Sequence, residues 1–163
     1  VPDIIVDAMT KVQFVPTIAS GTKAPTVAEL GLGTSLELLL TKTGLEGFDP
    51  SNAEVDTTSL GSPDDTKVPG RVSYSGTALV LKKQTPTDPV YATLSVMNTT
   101  GFIVIRDAIV ATTAFAAAQK VDVYPVQLGK TGKVGRGEDN SLLRYRVPCS
   151  IRDAAVFDVA VLA

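Results

Sequence analysis

Few residues of this chain stand in patterns that do chemistry. The 163 residues include no histidine, which removes the commonest general base and metal ligand and every Ser-His or Cys-His nucleophile arrangement. Gly129-Lys130-Thr131 has the ending of a phosphate-binding loop, but Tyr124 stands where the first glycine of that pattern belongs, so the segment reads as a turn between strands. The basic glycine-rich run 130–140 has no interleaved aromatics on which bases would stack, and Glu138 and Asp139 offset its charge. Asp64-Asp65 and Glu138-Asp139 are carboxylate pairs in glycine-containing loops, and neither has calcium-loop spacing. Cys149 falls on the apolar side of an alternating run and reads as a small core residue. Tyr74, Tyr91, Tyr124 and Tyr145 read as packing residues with a hydrogen-bonding tip, and the lack of tryptophan weighs against a sugar-binding platform. These residues predict no catalytic group, no metal site and no cofactor.

The elements around them carry more information. At 44% hydrophobic and 20% charged, the chain has the composition of one ordinary domain, taken as residues 1–163. The net charge of -2 is unevenly divided. Residues 1–65 hold ten acids and three bases, a balance of -7; the remainder holds seven acids and twelve bases, a balance of +5. Two readings fit that split: complementary faces for self-association, or ordinary solvated loops. One cysteine excludes an internal disulfide and gives no sign of an oxidising compartment. The run 108–118 is too short to cross a bilayer, no secretory signal pattern opens the sequence, and the sequon at Asn98 then reads as chance.

Taken in order, residues 1–10 have no clean period and read as an N-terminal arm. Lys11 to Ile18 alternates, with Val12, Phe14, Pro16 and Ile18 inward and Lys11, Gln13 and Thr17 outward, as in an edge strand. Thr26 and Glu29 have capping-box spacing ahead of glycines 31 and 33, which predicts a short helical turn. Leu36, Leu38 and Leu40 alternate with Ser35, Glu37 and Thr41, predicting a half-exposed strand. Residues 44–51 read as a turn, 53–58 as a polar strand, and 59–70 as a long polar loop of the kind that is functional or ordered by a partner. Residues 71–83 read as one long strand bent at Gly76. Asp88 and Pro89 start a helix over 88–98 of about three turns, with Val90, Tyr91, Leu94 and Met97 on its packed face.

The strongest apolar strands follow. Phe102 to Ile105 is a continuous apolar run that suits a strand buried on both faces. After an alanine-rich connection, Val121 and Val123 share one face while Tyr124, Val126 and Leu128 share the other, which predicts a bulge or an edge at Tyr124-Pro125. Leu143, Tyr145, Val147, Cys149 and Ile151 form the cleanest half-buried strand, and Ala155, Phe157, Val159 and Val161 a closing one. About eight strands and one helix predict a mainly β fold: a two-sheet β-sandwich or flattened barrel with one flanking α-helix.

Three segments in this order, KVQFVPTIA followed by APTVAELGLGTSL, then GFIVIRD, then KVDVYPVQLGK, resemble the major tail tube proteins of long-tailed bacteriophages, and the resemblance extends from Lys11 to Val161. It implies a β-sandwich subunit that closes into hexameric rings, with the rings stacked into a hollow tube for viral DNA. It also implies placement in the virion tail, assembly in the host bacterial cytoplasm, contact with other tail proteins and no membrane. Long loops and terminal arms make ring-to-ring contacts in that family. The resemblance therefore points to Asp64, Asp65 and Lys67 of the 59–70 loop, and to residues 1–10.

A ring needs a heterologous interface and stacking needs a second one, so the subunit must present several complementary surfaces. A basic lumen would hold phosphates and slow transit, so the lumen is expected to be acidic or neutral. Glu37, Glu54 and Asp56, projecting from strand faces opposite apolar ones, are the candidates; the alternative is that they are simply solvated. A reading from another class is a virion β-sandwich binding module, such as a capsid decoration or adhesion domain.

Overall fold

The computed structural model describes residues 8–137 and 139–163. Residues 1–7 of the expected arm, and Glu138, lie outside them. The described elements are β1 (Lys11–Val15), α1 (Val27–Gly31), β2 (Thr34–Ser35), β3 (Leu40–Glu46), β4 (Ser51–Asp56), β5 (Lys67–Ser73), β6 (Ala78–Lys82), α2 (Pro89–Leu94), β7 (Thr100–Arg106), β8 (Lys120–Leu128), β9 (Gly132–Val134), β10 (Arg144–Ile151) and β11 (Val156–Ala160). One sheet runs β2-β1-β7-β8-β10-β6-β3, with β11 beside β8 and β9 beside β10, while β4 and β5 pair with each other in a second, small sheet. The fold is mainly β, as the alternation predicts.

The main sheet curls because β10 serves two neighbours in succession. Arg144 to Pro148 pairs with β6, and Cys149 to Ile151 pairs with β8. Inside the curl, Phe14, Leu79, Leu81, Ile103, Tyr124, Tyr145, Val147 and Cys149 form the larger core, and Leu94 of α2 packs into it. A smaller core on the opposite face gathers Val15, Leu30, Val104, Val121, Val123 and Val161. The apolar run of β7 is therefore buried on both faces: Ile103 and Ile105 enter one core and Val104 the other.

No bulge forms at Tyr124-Pro125 against β7, since β7 and β8 stay in register from Thr100 opposite Gln127 to Ile105 opposite Asp122; the alternative expectation, an edge, holds locally on the other side of β8. Proline is tolerated for a local reason. On the other side of β8, β10 ends at Ile151 opposite Val126, and β11 begins at Val156 opposite Val123. The missing N–H of Pro125 falls in the gap between these two partners, and its carbonyl accepts from the Arg152 N–H.

Several boundaries differ from the sequence reading. The capping box is formed, with Thr26 accepting from the Glu29 N–H and Glu29 accepting from the Thr26 N–H. The expected strand through Leu36, Leu38 and Leu40 is instead a turn, because the Leu36 carbonyl accepts from both Leu39 and Leu40 N–H groups; Leu38 is left 77% exposed. Residues 44–46, read as a turn, end β3. The long strand 71–83 is two strands in two sheets, β5 and β6, separated by Gly76 at φ +67°. The helix starts as predicted, with Asp88 accepting from the Tyr91 N–H and Pro89 in the first turn. It ends at Leu94, because Asn98, at φ +67°, turns the chain into β7 with its N–H on the Leu128 carbonyl.

At β11 a register shift between Val156 and Val159, centred on Asp158 at φ +51°, sends both valines to the smaller core. Phe157 faces outward instead, edge-on to Tyr124 at 5.7 Å. Lys11 and Gln13, read as outward, are buried. β1 lies inside the sheet between β2 and β7, and Phe115 of the 107–119 connection sits under the Lys11 ammonium at 5.6 Å.

Candidate interaction surfaces

The β4–β5 hairpin, its tip included, collects five of the six residues singled out from the sequence. Glu54 and Asp56, two apart, share one face of β4. Lys67 stands opposite Asp56 on that face and pairs diagonally with Glu54 at 2.7 Å. Lys67 was assigned to the 59–70 loop; it opens β5, so the loop proper covers 57–66. On the other face Val55 lies opposite Val68, and both are about half exposed, at 49% and 46%. The tip is closed by Thr57 N–H to the Thr66 carbonyl and Thr66 N–H to the Thr58 hydroxyl. Asp64 is fixed in the tip, its N–H donating to the Ser62 hydroxyl; Asp65 and a fully exposed Leu60 complete it. Hydrogen bonds from the Thr58 hydroxyl and N–H hold the Asp56 carboxyl below its ordinary pKa, so it is an anion at neutral pH.

Glu37 is not brought together with Glu54 and Asp56. It lies in the 36–39 turn rather than on a strand. Its side chain is 11% exposed and turned toward Lys11 at 3.6 Å. Its placement on a projecting strand face is thereby corrected.

Arg106 went unnoticed in the sequence except as the end of a strand. It is fully buried, and its guanidinium donates to the carbonyls of Val110, Thr113 and Ala114 and to Gln119 Oε1, at 2.9 to 3.1 Å. The Phe115 ring lies 4.9 Å from it. Burial lowers its pKa, and Glu37 opposes that shift. One side chain thus organises the connection 108–119, which contains no charged residue and presents small apolar groups to solvent. The available signal was a lone arginine ending an apolar strand ahead of an uncharged loop, whose carbonyls need donors.

A groove of about 910 Å³ runs between the base of the hairpin and the β10–β11 corner. Val72 and Tyr74 line one side, Ile151, Ala155 and Phe157 the other, and Arg146 and Arg152 stand at its rim. Cys149 is buried at its floor, and burial pushes its thiol up to about 12, away from the thiolate form. Among the described residues there is no cluster of His, Cys, Asp and Glu able to hold a metal, and no helix is long and apolar enough to cross a membrane.

A family model described as "Phage tail tube protein" matches residues 1–163. Among solved structures, a chain of the cryo-EM structure of the anti-feeding prophage (AFP) baseplate, 6-fold symmetrised, has a similar fold. Its TM-score is 0.60 at 10% identity, over 96% of this chain and 98% of that one. No curated protein sequence matches.

Proposed function

Since the chain belongs to the phage tail tube protein family and is a structural protein of the virion tail, we propose that it acts as the tube subunit. Copies close into hexameric rings, the rings stack, and the channel left at the centre passes viral DNA without binding it specifically. One observation carries this reading: the small β4–β5 sheet. Among the described residues its two strands have no partner but each other, and they expose Val55, Val68 and Val72. A two-stranded hairpin is at best marginally stable in water, and an open edge is a template for another chain. Pairing the outer edge of β4 in one copy with the outer edge of β5 in the next is a heterologous contact, the kind that closes a ring. The six-fold symmetry belongs to the AFP baseplate by its description; it is the precedent for six copies here.

In this arrangement the Glu54 and Asp56 face of the hairpin lines the channel and the Val55 and Val68 face packs against protein. Two acids and one base on that face keep it from retaining phosphates. Asp64, Asp65 and the exposed Leu60 of the tip reach the next ring. Glu37, covered by Lys11, has no part in the channel. The subunit acts as one domain, assembles in the host cytoplasm and meets other tail proteins at the ends of the tube.

Sedimentation and negative-stain imaging of the purified chain test this. Hollow tubes or six-fold rings are expected. A stable monomer at high concentration, retaining a small ligand in the groove, would instead favour a virion binding module. The double variant Glu54→Gln/Asp56→Asn should still assemble; complete loss of assembly would count against a channel position for these two residues.

A further inference from the structure

Two groups on the covered face of the main sheet keep hydrogen-bonding capacity that no neighbour uses. Arg106 has five N–H donors. Its Nη1 protons go to the Ala114 carbonyl and Gln119 Oε1, and its Nη2 protons go to the Val110 and Thr113 carbonyls. The Nε–H is left over, buried and without a partner among the described residues. The same holds for one oxygen of Glu37: Oε1 faces the Lys11 ammonium at 3.6 Å, while Oε2 is buried and unbonded. Strand register brings the two groups to one place. Lys11 stands opposite Arg106 in the β1–β7 pair, so both side chains leave the sheet on the same face. The Leu36 N–H on the Val12 carbonyl then sets Glu37 beside Lys11, close enough to Arg106 to favour its charged form. The 107–119 connection closes the site from above. Its Ala111 carbonyl accepts from Lys11 at 3.1 Å, and its Phe115 ring lies 5.6 Å from the ammonium and 4.9 Å from the guanidinium.

We propose that the fold binds one buried water between Arg106 and Glu37, which accepts from the Nε–H and donates to Oε2. The chemistry of the surrounding groups selects this ligand. Two cations against one carboxylate attract an anion, yet an anion placed here would meet Glu37 Oε2. A metal cation would meet the guanidinium and the ammonium. A neutral molecule with a lone pair for the Nε–H and a proton for the carboxylate has neither conflict, and water is the smallest such molecule. Its second lone pair takes the Lys11 proton that neither Ala111 nor Glu37 Oε1 uses. Buried waters typically make about three hydrogen bonds to groups that would otherwise go unsatisfied, and leaving such groups dry is destabilising. In this position the water ties the 36–39 turn to Arg106, which already holds the 108–119 connection. One side chain thereby fastens both covers of this face of the sheet. The site lies within a single subunit and stands whether or not copies assemble.

A crystal structure of the full chain, at a resolution that shows ordered water, tests this. A density peak is expected within about 2.7 to 3.2 Å of both Arg106 Nε and Glu37 Oε2, with no anomalous signal at that point after a bromide soak. In solution, protein carrying isotope-labelled arginine should show a rotating-frame cross-peak between the Arg106 Nε–H and water. Glu37→Leu removes the acceptor, and both the density peak and the cross-peak should be lost; Glu54→Gln, in the hairpin, should keep both. A direct bond from the Arg106 Nε–H to Glu37 with no peak between them, a bromide signal at the site, or a peak that persists in Glu37→Leu would each overturn the proposal. If Glu37→Leu does not fold, the map and the bromide soak of the unmodified chain decide the matter alone.

Discussion

Replacing Arg106 with methionine removes four donors from a closed pocket while nearly keeping the length of the side chain. Each hydrogen bond from a charged donor contributes about 1.5 to 3 kcal/mol, but the four do not sum. The guanidinium is itself disfavoured by burial, as the direction of its pKa shift records, and the freed carbonyls of Val110, Thr113 and Ala114 recover water once the loop opens. Each acceptor left dry costs about 1 to 3 kcal/mol; with part of that recovered from water, a net loss of about 3 to 5 kcal/mol is expected. For a chain of this length each kcal/mol lowers the melting temperature by about 2 to 4 °C, so a drop on the order of 10 °C is expected. Arg106→Lys keeps the charge, yet a single ammonium cannot span three carbonyls and the Gln119 amide, so it should lose at least half as much. Urea unfolding followed by circular dichroism, on protein below its assembly concentration, measures both. Limited proteolysis should show new cleavage within 108–118. A methionine variant within about 1 kcal/mol of the parent, with no new cleavage, would refute the conclusion that Arg106 holds this connection in place.

Further outcomes follow from single residues. The Tyr145 hydroxyl is buried without a hydrogen-bond partner among the described residues, while its ring packs edge-on against Tyr91 at 5.0 Å. Tyr145→Phe should therefore stabilise the fold by up to about 1 kcal/mol in urea titration; a loss of more than that would reveal a bound partner for the hydroxyl. Thr26→Ala should cost about 1 kcal/mol through the cap of α1. Hydrogen bonds from the backbone of Thr26 and Ala19 hold the Glu29 carboxyl below its ordinary value of 4.5. Its stabilising contribution is thus complete above that pH and lost as pH falls through the lowered pKa; Glu29→Gln should flatten the acid limb of a stability-versus-pH curve, and an unchanged limb would contradict this. Cys149, with its thiol pushed up to about 12 by burial, should react with a thiol reagent only as fast as the protein unfolds; rapid labelling of the native protein would show the groove floor to be open.

Much of the core was legible because periodicity is a local signal. The four apolar residues of β7 and the strict alternation of β10 each named the faces they bury, and the capping box at Thr26 and Glu29 needed only four residues to read. Errors arose where a backbone group found a partner that pattern does not encode. The Leu36 carbonyl captured two N–H groups and turned an alternating leucine run into a turn. Asn98 and Asp158, at positive φ, ended a helix early and turned Phe157 out of the face it was expected to share with Val159. Of the assembly candidates, Glu54 and Asp56 were placed on one face by simple alternation, whereas Glu37 was misread because its covering partner, Lys11, comes from another strand.

Composition and alternation alone mark a β-rich chain without histidine, whose strand phrases resemble those of tail tube proteins. Strand alternation and the absence of histidine are properties of neighbouring residues or of the whole composition, so no folding is needed to read them. Which edges stay open is set by the fold. Whether β4 and β5 stand apart from the body depends on the turn at Gly76. That is a relation between distant segments, fixed when the sheet curls and invisible along the chain.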